Sequence, residues 1–337
     1  MNKEKLMILT LTALALAACS SGSVSDEGPK EEQPMEIRLS TGLDAQTRAY
    51  TPTQSTAVAD GQTVYAWADD HVNKTNSSDH AGDIADYLKG WTLTSSGASL
   101  TGSKQYYSAA GNNLDVYAVH GTFNNAVTEG ATAWAAFTSG LTHTVAAAQN
   151  TGSAYLDSDL LYAVALNLAR QSTPHTLTFK HLLSKIEVNV ISGGGLTAAD
   201  LSNVKVEVVN VQPTAAVTLS KTDATASTVT ASGTPVTIEA KMTYDAAGSV
   251  VVGGVAKPAP AFAEAIVVPQ TYATGSLLQV TLYNTPTPIV LTTPPAGYTF
   301  DSGKRYIYNL TVSANELKLQ GIITDWLDGQ TYDIEAR

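Results

Sequence analysis

Few side chains in this sequence could do chemistry. It has one cysteine, Cys19, and six histidines: His71, His80, His120, His143, His175 and His181. A single thiol excludes an internal disulfide and a cysteine-based zinc site. No histidine belongs to an HExxH motif or a comparable ligand pair. Asp69-Asp70-His71 and His80-x-x-Asp83 are metal ligands by type, but the stretch holding them is full of Asn, Ser and Gly, so they read as solvated loop residues. Asp157-Ser158-Asp159 has the alternating acids of a calcium loop and lacks the Gly and Glu that should follow. There is no GxSxG and no phosphate-binding loop, and Gly193-Gly194-Gly195 reads as a loose turn. Nothing selects one serine among many as a nucleophile. His181 is expected to be a structural histidine at a strand end. Trp91, Trp134, Tyr106 and Tyr107 could stack sugars, though core and cross-strand packing is the plainer reading. The expectation is therefore no enzyme, no metal and no cofactor.

Cys19 gains meaning from its position. Lys3 and Lys5 make a basic start, and Leu6 to Ala18 is an apolar run too short to span a bilayer as a helix but suited to a signal peptide. It ends in Leu16-Ala17-Ala18-Cys19, which looks like a bacterial lipobox, where the thiol accepts a diacylglyceryl group. Residues 1–18 are then a lipoprotein signal peptide, and the mature chain is anchored to a membrane by its acyl chains. Residues 19–35 form a polar tether. Its acids, Asp26, Glu27, Glu31 and Glu32, are either solvated linker charges or a sorting signal like the surface-export signal of Bacteroidetes lipoproteins.

The elements that must carry these residues are strands. The chain has 337 residues, 44% apolar and 15% charged, with a formal net charge of −11. It can bury a core, and it lacks the basic face that a nucleic-acid partner requires. Residues 36–40, 63–67 and 114–119 alternate polar and apolar with β-branched and aromatic side chains. Further strands are expected at 176–180, 184–191, 203–210, 215–219, 228–232, 236–240, 249–252, 264–268, 277–283, 288–292, 305–313 and 316–323. Short helices are expected around Ile84 to Leu88 and Asp159 to Leu168. Many short strands at this spacing predict an all-β chain of antiparallel sandwiches. The turn-rich Gln171-Ser172-Thr173-Pro174 suggests a boundary between an N-terminal domain, 36–174, and a C-terminal domain, 175–337.

Several segments together resemble the fimbrillin family, the type V pilins of Bacteroidia. These are the lipobox at Cys19, Gln46-Thr47-Arg48-Ala49 soon after the first strand, and the stretch Leu177 to Val188. Ala265-Ile266-Val267-Val268-Pro269-Gln270, Gly303 to Val312 and Ile322 to Trp326 complete the set. The resemblance implies two transthyretin-like sandwich domains in tandem. It implies a structural pilus subunit, a stalk or tip pilin supporting adhesion, exported as a lipoprotein to the outer membrane and cell surface. An arginine-specific protease would cut after Arg48, and Arg38, the other basic site, lies within the strand itself. Cleavage would release a strand over residues 36–42, with Ile37 and Leu39 facing inward, and free the chain from its lipid. The exposed groove would accept a terminal strand from another copy or a related pilin. The donor is expected after Trp326, with Leu327, Tyr332 and Ile334 as its apolar groups. The rival is a surface lipoprotein that binds glycans through exposed aromatics.

Overall fold

Runs of Val, Thr, Ile and aromatic residues, broken every few positions by Gly, Asn, Asp or Pro, favour strands over helices throughout this chain. A computed structural model describes residues 34–43, 57–272, 275–282, 289–292, 297–313, 316–325 and 332–335. The signal segment, Cys19, Arg48 and Leu327 lie outside the described residues.

In chain order the first strands are β1 Leu39–Leu43, β2 Thr63–His71, β3 Ile84–Ser96, β4 Ser99–Gly102, β5 Asn113–His120, β6 Thr142–Thr144, β7 Leu161–Leu168 and β8 His175–His181. There follow β9 Ser184–Ser192, β10 Lys205–Val211, β11 Thr214–Thr218, β12 Thr228–Ser232, β13 Val236–Glu239, β14 Lys241–Tyr244, β15 Ser249–Val252 and β16 Val255–Pro258. The last are β17 Ala261–Val267, β18 Gln270–Tyr272, β19 Ser276–Thr281, β20 Ile289–Thr292, β21 Tyr298–Phe300, β22 Lys304–Ser313, β23 Glu316–Asp325 and β24 Tyr332–Glu335. Two short helices, α1 Trp134–Thr138 and α2 Ala154–Asp157, sit in the connection from β5 to β7.

Seven strands close on themselves in the order β1-β4-β3-β2-β5-β7-β8. The larger of the remaining sheets runs β14-β17-β9-β22-β23-β24, and a smaller one runs β13-β10-β19-β20. A three-stranded sheet, β12-β11-β6, mixes strands from both halves of the sequence. The chain is all-β, as its composition requires. Most pairings are antiparallel, but β1 lies parallel to β8 and β9 lies parallel to β22.

The period-two pattern feeds two cores. Leu114, Val116 and Ala118 of β5 point into one with Val64, Ala66, Leu177 and Phe179. Tyr117 and Val119, the alternate residues, enter the other with Trp67, Trp134, Phe137 and Tyr162. Alternation along a strand always sends neighbours to opposite faces. Here both faces are covered, so every residue of β5 is buried. Each large apolar side chain so placed contributes roughly 1.5–3 kcal/mol before ordering costs.

Both expected helices are strands. Ile84 and Leu88 stand four apart, a helical spacing, but they belong to β3. That strand is bulged where it pairs with Ala66 to Asp70, and Asp86 sits at φ 54°. The bulge breaks the period-two signal and lets Asp86 accept a bond from Trp134 N at 2.8 Å, at the start of α1. Residues 161–168 form β7, and the helical turn that precedes them is Ala154–Asp157. Leu and Ala favour helices weakly, and pairing with β5 and β8 overrides that preference. The β7–β8 pairing also changes the meaning of Gln171 to Pro174. They make a turn within one sheet, and the chain changes sheet at Leu182-Leu183, after β8. Turn chemistry marks any reversal of direction, not only a change of sheet.

Candidate functional site

β1 is the keystone of the closed sheet. It is short, yet it touches two strands that no other described strand joins. On one side Leu39 to Leu43 pair in parallel with His175 to Phe179. On the other, Leu39 and Ser40 pair antiparallel with Leu100 and Ser99. The preceding residues extend the seam: Ile37 N donates to Gln105 O at 2.8 Å, Tyr107 N to Met35 O at 3.0 Å, and His175 N to Arg38 O at 2.9 Å. Ile37, Leu39 and Thr41 are buried, and the two apolar ones join Leu93, Leu100, Leu177 and Phe179 in the barrel core. Thr41 accepts a buried bond from Val58 N at 2.8 Å. The intervening Arg38 points outward to Glu36 at 3.2 Å. Without β1, the facing edges of β4 and β8 would be left unpaired, and an apolar slot would open between them.

β24 holds the opposite position in its sheet. Among the described residues it pairs antiparallel with β23 only, Tyr332 opposite Ile323 and Ile334 opposite Gly321, and is the outermost strand in the order. The first and last described strands thus differ in role: one closes a sheet and the other edges one.

The remaining sequence candidates separate into packing and one cluster. Trp91, Trp134 and Tyr107 are buried, whereas Tyr106 is exposed. Trp67 stacks on Phe137 at 4.5 Å and meets Trp134 edge-on at 5.4 Å. Those tryptophans are core residues. Asp157, Ser158 and Asp159 diverge: Ser153 Oγ donates to Asp157 at 2.5 Å, Ser158 Oγ donates to Ala154 O at 2.6 Å, and Asp159 lies 2.8 Å from His181 Nδ1. His181 ends β8. Gly193 is held where β9 leaves the sheet, because a Cβ there would meet Val312 O at 2.8 Å.

His80 is the exposed loop residue that its neighbours suggest, but His71 and Asp83 are not. His71 ends β2 and is fully buried, Asp83 is nearly so, and His71 and His80 both lie 3.3 Å from Asp115 of β5. Asp115 lies in an apolar run, 32 positions beyond Asp83, so its spacing does not tie it to the histidines; the one sequence signal for it is a lone carboxylate within a strand buried on both faces. Among the described residues, no helix is long and apolar enough to cross a membrane.

Solved structures share this fold. A protein of Bacteroides ovatus described as a cell adhesion protein superposes with a TM-score of 0.55 at 16% identity, covering 89% of this chain and 100% of its own. A Bacteroides uniformis protein of the same description gives 0.50 at 19% identity over 86% of this chain and 99% of its own. The C-terminally truncated tip fimbrial protein Mfa3 of Porphyromonas gingivalis gives 0.45 at 10% identity over 87% and 100%. A search of curated protein sequences returned no match. A family model described as fimbrillin-like matches residues 47–326. That span takes in every strand from β2 to β23, so by its sequence, on the all-β frame described above, this chain belongs to the fimbrillin-like family.

Proposed function

We propose that the chain is a structural subunit of a cell-surface fimbrium that polymerises by exchanging β1 for a strand of another copy or a related pilin. Its precursor is lipidated at Cys19 and held at the outer membrane, and an arginine-specific protease cuts after Arg48. The cut frees both the lipid and β1, since each lies upstream. The observation that carries this reading is the position of β1: the first described strand, buried on one face, and among the described residues the one that joins β4 to β8. Leaving it out opens a slot for backbone pairing with pockets for alternate side chains, which is how strand addition achieves both affinity and specificity. The proposed donor is the segment after Trp326, with Leu327, Tyr332 and Ile334 as anchors. Burying three such side chains contributes on the order of 5–9 kcal/mol before ordering costs. The chain is read as two sandwich domains, with their boundary moved to the turn between β8 and β9.

The test is an assembly assay with N-terminal sequencing. Arginine-specific cleavage of the full chain should convert monomer into ladders whose subunits begin at Ala49. Arg48→Ala should remain monomeric and lipid-bound. A chain truncated after Trp326 should be cut but should form no ladder. Normal ladders from Arg48→Ala would overturn the strand-release reading, and normal ladders from the truncated chain would overturn the donor assignment.

A further inference from the structure

The end of β2, the segment joining it to β3, and β5 bring four side chains of metal-ligating type to one point. His71 Nδ1 lies 2.9 Å from Asp83 Oδ2 and 3.3 Å from Asp115 Oδ2. His80 Nδ1 lies 3.0 and 3.3 Å from the same two oxygens. All four atoms fall within 4.8 Å of one another. An ion bound tetrahedrally at about 2.0–2.2 Å holds its ligand atoms about 3.3–3.6 Å apart. The nitrogen–oxygen separations here are at or within a few tenths of an ångström of that spacing.

The outer contacts aim these atoms inward. His71 Nε2 is 3.1 Å from Asn76 O, an acceptor, so Nε2 donates there and Nδ1 is the nitrogen that faces the two carboxylates. Asp83 Oδ1 accepts from Val72 N at 2.8 Å, and Asp115 Oδ1 accepts from Asn167 N at 2.7 Å. Each carboxylate thus has one oxygen fixed by backbone and the other facing the centre. Protonating the histidines does not complete the site. Both Nδ1 atoms are placed to bond Asp83 Oδ2, while Asp115 Oδ2, fully buried, accepts no hydrogen bond in the described structure. A buried carboxylate oxygen without a donor is costly. A cation at the centre engages all four atoms together.

We propose that His71, His80, Asp83 and Asp115 bind one zinc-like divalent transition metal that staples the 72–83 segment to the end of the barrel. Two imidazole nitrogens select against calcium and magnesium, which prefer all-oxygen shells. Four protein ligands fill a tetrahedral shell, so the site is structural and not hydrolytic. His80, about half exposed, gives the ion its way in.

The test uses the full chain without a polyhistidine tag, stripped with a chelator and titrated with zinc, calcium or magnesium chloride by calorimetry. Zinc should bind at one equivalent and raise the melting temperature, and calcium and magnesium should do neither. Cobalt should give the intense visible bands of a tetrahedral site. Because His80 is partly exposed, His80→Ala should melt close to the metal-free parent yet bind zinc about tenfold or more weakly. Asp83→Asn should lose the cobalt bands. A parent that binds no zinc, or variants that bind it as the parent does, would overturn the site.

Discussion

At the scale of single residues, buried polar groups set the conditions under which this fold holds. His143 is fully buried in β6, where Nδ1 accepts from Thr122 N at 3.1 Å and Nε2–H donates to Ser158 O at 2.9 Å. Those bonds suit the neutral ring, and burial pushes its pKa down to about 4 from 6.5. Between those values the unfolded chain binds the proton and the folded one does not, so stability rises with pH across the window. Relative to His143→Gln, the parent should lose about 3 kcal/mol of stability as pH falls from 6.5 to 4, read from urea midpoints. Lys185 presents the opposite case. It is buried, with Nζ 2.7 Å from Glu187 and 2.6 Å from Glu264, and those carboxylates hold its pKa up against burial. Lys185→Met leaves both acids without their shared cation and should cost about 3–5 kcal/mol by denaturant unfolding.

At the scale of elements, β1 contributes more than its length suggests. Its five residues close a seven-stranded sheet, and its pairing spans more than 130 positions of sequence. Leu39→Asp puts a charge into the barrel core and should destabilise the precursor by about 3 kcal/mol or more. If β1 leaves on assembly, the same substitution should not change the stability of assembled ladders formed after cleavage. Measuring both forms in guanidinium separates a permanent strand from a displaced one. Equal destabilisation of precursor and ladder would show that β1 stays.

At the scale of the molecule, the two halves of the sequence are interlocked. β6 pairs with β11, so a strand from the first half completes a sheet of the second. The side chain of Gln149 acts as a piece of backbone: Nε2 donates to Ile266 O at 2.7 Å, and Oε1 accepts from Ile266 N at 2.8 Å. Lys221 reaches Asp69 at 2.6 Å and lies 4.6 Å from the centre of the Tyr117 ring. The larger core runs from Trp67 to Val312 without a break. Calorimetry of residues 34–337 should therefore show one transition. Gln149→Ala leaves two buried backbone groups unpaired and should cost roughly 2–5 kcal/mol. Two resolved transitions would mean that the halves fold independently.

The sequence by itself determined which segments are strands where the local signal is strong. Residues 228–232 and 249–252 are strands to the residue, and Leu177 to Val188 runs strand, turn, strand as its pattern requires. The Pro269-Gln270 step ends β17, and Gln270 then binds Gln212 N at 3.0 Å. The family was legible too, because its signals are short motifs in a fixed order. Only the tertiary structure decided where strands go. It assigned Ile84 to Leu88 and residues 161–168 to bulged or doubly covered strands, kept β8 in the first sheet, and set β1 between β4 and β8. It also brought Asp115 to His71, His80 and Asp83. The reason is physical. Period-two alternation fixes which face a residue takes, but the identity of the partner strand depends on contacts far apart in the chain, and those leave no trace in the local pattern.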